Sequence, residues 1–278
     1  MSGPVYDFPT DPTRRFFGLG VVGARQCSPN TDPDTGGPRV LPDGTGSISS
    51  QKIKRMIRDY AHIVLGQALY IAHGVDLKEV QLRVGGKKRA GRKNNLLRAF
   101  WDNRVFGATF TQCEAVVGPI QIECRSWDTI EILHEALTRV AGSKDDPASG
   151  EADKGRLRGS MGTRNVVWHG LYTPFIMYSH HRGAKARTTA EDLTNFWVSF
   201  IESWEDDLAA NRLGVELRKL YAISWSADRA DFKRRDFRKR LSITPNVLNP
   251  KRFEDYTVEF DSSPEGLPEG FQFHQWDG

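Results

Sequence analysis

The chain has 278 residues, with 39 Lys and Arg against 35 Asp and Glu for a formal charge of +4, and 38% hydrophobic and 27% charged residues. Those proportions exclude wholesale disorder or a fibre and predict one large domain, or two small ones, with a sizeable core. The most apolar stretch, residues 61–72, is interrupted by Gly66 and Gln67 and falls short of the roughly 20 residues of a bilayer span, so no membrane helix is expected.

Asp7, Asp11, Arg14 and Arg15 stand near the start with no apolar block ahead of them, so no leader is expected. Residues 15–24 (RFFGLGVVGA) are short, apolar and bounded by breakers, which predicts a buried first strand. Residues 25–46 hold Pro29, Pro33, Pro38 and Pro42 among Asp and Gly, the composition of a long functional loop. Ser49 or Ser50 then caps a helix whose apolar residues Ile53, Met56, Ile57, Tyr60 and Val64 recur at helical spacing. At about 100° per residue, Lys54, Arg55 and Arg58 project onto the opposite side, giving a basic back whose loss is expected to leave stability almost unchanged.

Residues 83–93 read as a mobile cationic loop and 94–104 as a short helix, while alternation from Gly118 to Arg125 predicts a strand. Residues 130–140 fit strand or helix, 142–159 are polar and flexible, and 165–172 are β-branched and aromatic. Together they predict a projecting hairpin with a mobile tip. Thr188 or Thr189 caps a helix with Glu191 and Asp192 in its first turn. Its stripe of Leu193, Phe196, Trp197, Phe200, Ile201, Trp204 and Leu208 is assigned to packing. Residues 218–225 read as the closing strand. The order is βαββαβ, an α+β class with a ferredoxin-like or RRM-type palm and long insertions.

Charge is segregated along this plan. Residues 83–104 hold eight basic residues against one acid, Asp102; residues 227–252 hold nine against three; the last 26 hold seven acids and no Lys or Arg. Basic blocks of this density suit a polyanion partner, because each cation on a phosphate track releases condensed counterions. Catalytic signatures are missing from the sequence: no GxSxG, no Walker A motif and no GxGxxG after a strand. Asp32, Asp34 and Asp43 do not have EF-hand spacing, His180 and His181 lack a metal-site partner motif, and Cys27, Cys113 and Cys124 form no CxxC pair. No cofactor and no metal are therefore expected, and free thiols suit a reducing, cytoplasmic setting. The RNP1 pattern is absent as well, so the basic helix, the small-residue loop and the hairpin base with Arg139, Arg158 and Arg164 point to sequence-independent gripping of a strand.

Residues 29–42 (PNTDPDTGGPRVLP) and 49–60 (SSQKIKRMIRDY) carry a resemblance to the backbone subunit of CRISPR Cascade complexes. That is the seventh CRISPR-associated family of the RAMP superfamily, in its type I-C and I-B branches. Residues 101–107 (WDNRVFG), 118–122 (GPIQI), 125–126, 138–139, 161–164 (MGTR), 170–172 (GLY), the helix from Thr189 and 218–221 (RKLY) match in the same order. The resemblance implies a single RRM-like palm over 1–278 with finger- or web-like insertions at about 25–47 and 66–107, a thumb hairpin at about 130–168 and an acidic tail at 253–278. It implies a non-catalytic subunit that polymerises head to tail along CRISPR RNA. Target DNA and the capping and large Cascade subunits are the implied further partners, and no membrane is.

Carried over by position, Lys52, Lys54, Arg55 and Arg58 meet the RNA backbone with Arg39 and Gln121; Arg125 and Ser126 support it, and Met161 and Arg164 lie on the thumb with Arg139. A guide must keep its base edges free to pair, so holding phosphate and ribose is the physical expectation. The outward loop with Lys87, Lys88, Arg89, Arg92 and Lys93 is the candidate for target DNA. A type III-like alternative, in which a loop aspartate such as Asp32 or Asp34 cuts target RNA, stays open.

Overall fold

The computed structural model describes residues 6–86, 91–138, 161–207, 211–226 and 232–278. Strand β1 (Arg15–Cys27) lies at the centre, antiparallel to β7 (Met161–Tyr178) on one side and to β8 (Val215–Trp225) on the other. The sheet continues antiparallel through β5 (Ile120–Thr129) to β2 (Thr45–Ile48) at one edge and through β11 (Gln272–Asp277) at the other. Strand β6 (Ile132–Thr138) pairs with the first residues of β7, from Thr138 opposite Met161 to Ile132 opposite Val167. Of residues 130–140, ambiguous by pattern, Ile132–Thr138 enter a strand ladder; residues 139–140 and the expected hairpin tip lie outside the described residues.

An apolar run such as β1 must be covered on both faces. Phe16, Val22 and Ala24 enter one core and Phe17, Leu19 and Val21 the other. The first core is closed by α1 (Ser50–Ile63) and α6 (Ala190–Glu202), which contribute Ile53, Met56 and Ile57, and Leu193, Phe196, Trp197 and Phe200. The sequence-predicted capping of α6 is realised as a capping box between Thr189 and Asp192. Val64, assigned to the apolar stripe of α1, is instead half-exposed at its C-cap, and Ala61 takes the buried position.

In β8 the alternation changes phase: Val21 pairs with Lys219 but Val22 with Leu217. The extra residue lets Val215 and Leu217 share a core with Leu220 and Ala222.

The second face is covered by the chain's own C-terminal part. Short helix α7 (Arg234–Arg238) and the antiparallel pair β9 (Leu241–Pro245) and β10 (Tyr256–Phe260) pack Phe237, Leu241, Ile243 and Phe260 against Phe17, Phe175 and Tyr221. Residues 253–278 are therefore built into the fold through β10 and β11, with Tyr221 and Phe260 stacked at 4.6 Å.

Residues 66–86 and 91–117 form a lobe over a small core of Tyr70, Val80, Leu96, Leu97 and Phe110, joined to the first core through Leu69, Trp101, Val105 and Phe106. It holds α2 (Leu77–Gly85), α3 (Arg92–Ala99), α4 (Trp101–Val105) and a two-strand pair, β3 (Gly107–Ala108) with β4 (Val116–Val117). The helix expected over 94–104 is broken at Phe100, whose backbone is extended (φ −121°, ψ 121°). The break turns Trp101 into the core, where its amide donates to the Ala68 carbonyl (3.0 Å) and its indole to that of Asp192 (3.3 Å). A further short helix, α5 (His180–Ala186), follows β7. Among the described residues, no helix is long and apolar enough to cross a membrane.

Phe237 is fully buried beside Phe17, Phe175, Phe232 and Phe260. Replacing it with alanine is expected to cost about 3–5 kcal/mol of unfolding free energy. Urea denaturation of the two proteins measures it; a loss below about 1 kcal/mol would mean that the C-terminal cover is not part of the cooperative unit.

Candidate nucleic-acid interface

Loop 28–47 and α1 are joined at the helix N-terminus. The Ser49 hydroxyl accepts from the Lys52 amide, and the Ser49 amide donates to Asn30 Oδ1 at 2.7 Å, so Asn30 fixes where the loop meets the helix. No acid lies in the first turn of α1. The end of the loop is pinned from beneath. The Gly46 amide donates to Ser126 Oγ (2.8 Å), and a Cβ at Gly46 would stand 2.4 Å from the Tyr172 hydroxyl, so only glycine fits. Ser126 is itself buried and donates to the Asp128 carbonyl. Its placement is that of a structural hydroxyl holding β2 to β5, rather than of an open contact.

The four cations of α1 have different surroundings. Lys52 pairs with Asp207, which also holds Arg212 at 2.8 Å; burial lowers the Lys52 pKa and the carboxylate opposes that shift. Arg55 forms an i, i+4 pair with Asp59 and donates to the Ile71 carbonyl (3.3 Å).

Arg58 departs from the expected exposed back. It is buried, 3.0 Å from the fully buried carboxylate of Asp102, with its guanidinium 4.8 Å from the centre of the Phe106 ring. The helical projection failed here because α1 is covered on two sides, by the sheet and by the 66–117 lobe. Lys54 has no carboxylate partner among the described residues: it donates to Gln121 Oε1 (3.3 Å) and lies 5.6 Å from the Phe106 ring centre. Burial, with Arg58 adding to it, brings its pKa down to about 8. Gln121 in turn donates to the Gly118 carbonyl (3.0 Å), which orients its oxygen toward the amine.

Arg125 is exposed on β5 opposite Ser47, its guanidinium without a partner among the described residues. Arg39 is half-buried; its backbone bonds Asn30 (2.9 Å) and Ser47 (3.0 Å), and its Nε is buried without a partner. Arg164, at the start of β7, pairs with Glu135 (3.4 Å) and donates to the carbonyl of Gln26 (3.3 Å), a residue with φ +49°. Gly37 packs on the Asn165 side chain, so the loop and the hairpin base are neighbours. Met161 is the first residue of β7.

Arg139, Lys87, Lys88 and Arg89 lie outside the described residues. Residues 83–93 are not one loop, since Arg83 belongs to α2 and both Arg92 and Lys93 to α3. Arg92 is buried and donates twice to the Gly86 carbonyl (2.7 and 3.0 Å) and once to Gln112 (3.2 Å), which commits it to closing the end of α2. Lys93 pairs with Glu114 at 3.3 Å. Asp32 has its carboxylate on the Asp34 amide (2.9 Å), an Asx-turn arrangement. Among the described residues, no group of three or more His, Cys, Asp or Glu is arranged to hold a metal ion.

Asp102, Asp207 and Phe106 order the cations of α1 and were not read as partners from the sequence. Asp102 did leave a signal there, as the lone acid among eight bases. The arrangement as a whole is a cationic helix with an amine that lacks a carboxylate among the described residues, flanked by a loop anchored to it and by a hairpin base.

The family model of CRISPR-associated protein Cas7 matches residues 14–261, and the chain belongs to that family. No curated protein sequence gives a significant match. Among solved structures, a chain of a "CRISPR RNA-guided surveillance complex, pre-nicking" superposes with TM-score 0.53 at 13% identity, over 75% of this chain and 78% of that one. A chain of another CRISPR RNA-guided surveillance complex gives TM-score 0.44 at 15% identity, over 75% and 68%. One from a Type III-B Cmr-beta complex bound to cognate target RNA gives 0.41 at 12%, over 75% and 61%. The first of these is a likeness of fold.

Removing Arg58 leaves a buried carboxylate without its counter-charge. Arg58→Ala is expected to destabilise the chain by about 3–5 kcal/mol, whereas Arg55→Ala, a partly exposed pair, is expected to cost about 0–1 kcal/mol. Chemical denaturation of the single variants measures the contrast; equal losses would deny the distinct burial of the two arginines.

Proposed function

We propose that the chain is a non-catalytic, cytoplasmic CRISPR RNA-binding backbone subunit that polymerises head to tail along the guide of a Cascade surveillance complex, for RNA-guided recognition of foreign DNA. The observation that carries this reading is membership of the Cas7 family over residues 14–261. In this reading β8, β1, β7 and β5, with α1 and α6, form a ferredoxin-like palm. Their antiparallel order in space and their βαββαβ order in the chain support it. Residues 25–47 and 66–107 serve as fingers or web, 130–168 as thumb and 253–278 as the acidic C-terminal segment. Copies of the chain, the capping and large subunits and target DNA are its partners, with Lys87, Lys88, Arg89 and Lys93 toward the DNA.

The guide backbone runs past the N-terminal half of α1, where Lys54 contributes most. A desolvated amine without a carboxylate gains most from a phosphate, since no internal pair must be broken first. Arg125, Arg39 and Gln121 lie on the flanking β5 and loop, and Arg164 and Met161 on the hairpin base. Contacts of this kind address phosphate and ribose and leave base edges free. Lys52, Arg55 and Arg58 act through their pairs, holding α1 in place and keeping its surface positive.

Two experiments test the reading. A phosphate near Lys54 favours its charged form, so with a free-state pKa of about 8 binding takes up a proton at higher pH. RNA affinity is expected to fall by up to about tenfold between about pH 7 and pH 9, and to stay flat in Lys54→Arg, whose guanidinium stays charged. A parallel fall in both proteins would remove Lys54 from the RNA path. Separately, the RNA-loaded particle incubated with complementary RNA and divalent metal is expected to leave it intact. Periodic cuts that vanish in Asp32→Ala or Asp34→Ala would establish the ribonuclease alternative.

A further inference from the structure

The sheet face opposite α1 carries a cavity of about 690 Å³ beside the first residue of β1 and the end of β7. Its apolar wall is made by Phe17, Met177, Trp225 and Phe232. Phe16 and Ile176, the chain neighbours of Phe17 and Met177, point to the core beneath α1 and α6, so the sheet itself separates this cavity from the α1 surface. Among the described residues, six basic side chains line it, Arg15, Arg182, Lys233, Arg234, Arg235 and Arg238, against one acid, Glu123.

Part of this charge is already engaged. Arg238 pairs with Glu123 and lies 4.3 Å from the centre of the Phe175 ring, Arg235 is 3.4 Å from Asp236, and Arg15 donates to His180 (3.3 Å). Arg182 on α5, Lys233 at the N-cap of α7 and Arg234 at its first residue are exposed, with no carboxylate partner among the described residues. Three cations from two elements, without a carboxylate partner among the described residues, converge on the cavity mouth, an arrangement that a phosphodiester backbone meets with successive phosphates. Phe17, Trp225 and Phe232 beneath them are buried core side chains, so the contact addresses phosphate and ribose rather than stacked bases.

We propose that this cavity is a second nucleic-acid site, holding the phosphodiester backbone of a strand other than the one gripped at α1. The inference goes beyond guide binding and rests on that reading only in giving the α1 surface to the guide. It also assigns a role to the basic block 227–252 that no motif explains.

The test uses the full chain purified with the RNA it retains, as wild type and as the triple variant Arg182→Ala, Lys233→Ala, Arg234→Ala. Fluorescent oligodeoxythymidylate and oligouridylate are added in excess, and anisotropy is read across a salt series. The variant is expected to retain its RNA and its melting temperature. It is expected to bind the added strand about tenfold more weakly at low salt, with the slope of log affinity against log salt reduced by about two units. The two oligonucleotides separate DNA from RNA as the source of the backbone. Unchanged affinity and slope with RNA retained would overturn this proposal and leave guide binding intact. Loss of the retained RNA in the variant would overturn it by assigning the cavity to the guide. Displacement by short polyglutamate as readily as by unlabelled oligonucleotide would replace nucleic acid with an acidic peptide. A wild type that retains no RNA would instead refute guide binding, whatever the added strand does.

Discussion

A five-residue helix, α4, carries two opposite charges that fasten the two long helices. Asp102, fully buried, takes Arg58 of α1 and also the amides of Tyr70 (2.8 Å) and Ile71 (3.1 Å). Two residues on, Arg104 grips both oxygens of Asp192 at the start of α6 (2.8 and 2.9 Å), and its carbonyl accepts from Thr188 (2.8 Å). Charges taken out of water are tolerable only when they are paired and hydrogen-bonded, and the Asp102 carboxylate has a guanidinium and two amides as donors. The surface of α1 is consequently set from behind. Asp102 holds Arg58, Arg58 and Phe106 wall in Lys54, and Lys54 is left as a desolvated amine facing outward.

What the sequence disclosed follows from what is local. The first strand, α1, α6 and β8 announce themselves through runs and periods of apolar residues, and each lies within a few residues of its expected bounds. Arg58 was misread because a projection around one axis assumes one covered side, and α1 has two. Arg92 was misread because its partner, the Gly86 carbonyl, exists only once α2 and α3 pack side by side. The C-terminal strands went unseen because their aromatics, Tyr256, Phe260 and Phe273, are half-buried singles among polar and charged residues and lack the density that marks a strand. The loop and the basic helix were legible by resemblance, whereas the partners that sort their cations were not.

The two covers of the sheet divide its labour. Helices close one face and leave a basic edge at the loop and hairpin base. The C-terminal segment closes the other with packed aromatics, leaving charge at the cavity rim. Alternation along β8 feeds both cores, Leu220 and Ala222 to one and Tyr221 and Ile223 to the other, and the bulge keeps Val215 and Leu217 on the helix-covered side.

The central place of β1 has a consequence for how the chain is made. Its partners begin at residue 161 and residue 215, so an apolar strand near the N-terminus leaves the ribosome long before either neighbour exists. At about 5–20 residues per second, Phe16, Phe17 and Leu19 wait about 10–30 s for β7 to be synthesised and longer for β8. During that interval the strand offers two unpaired edges to any other nascent copy, and several chains translated on one message bring such copies close together. The demand on holding chaperones therefore falls early in synthesis, and a slower message between codons 30 and 160 would raise it without changing one residue of the finished protein.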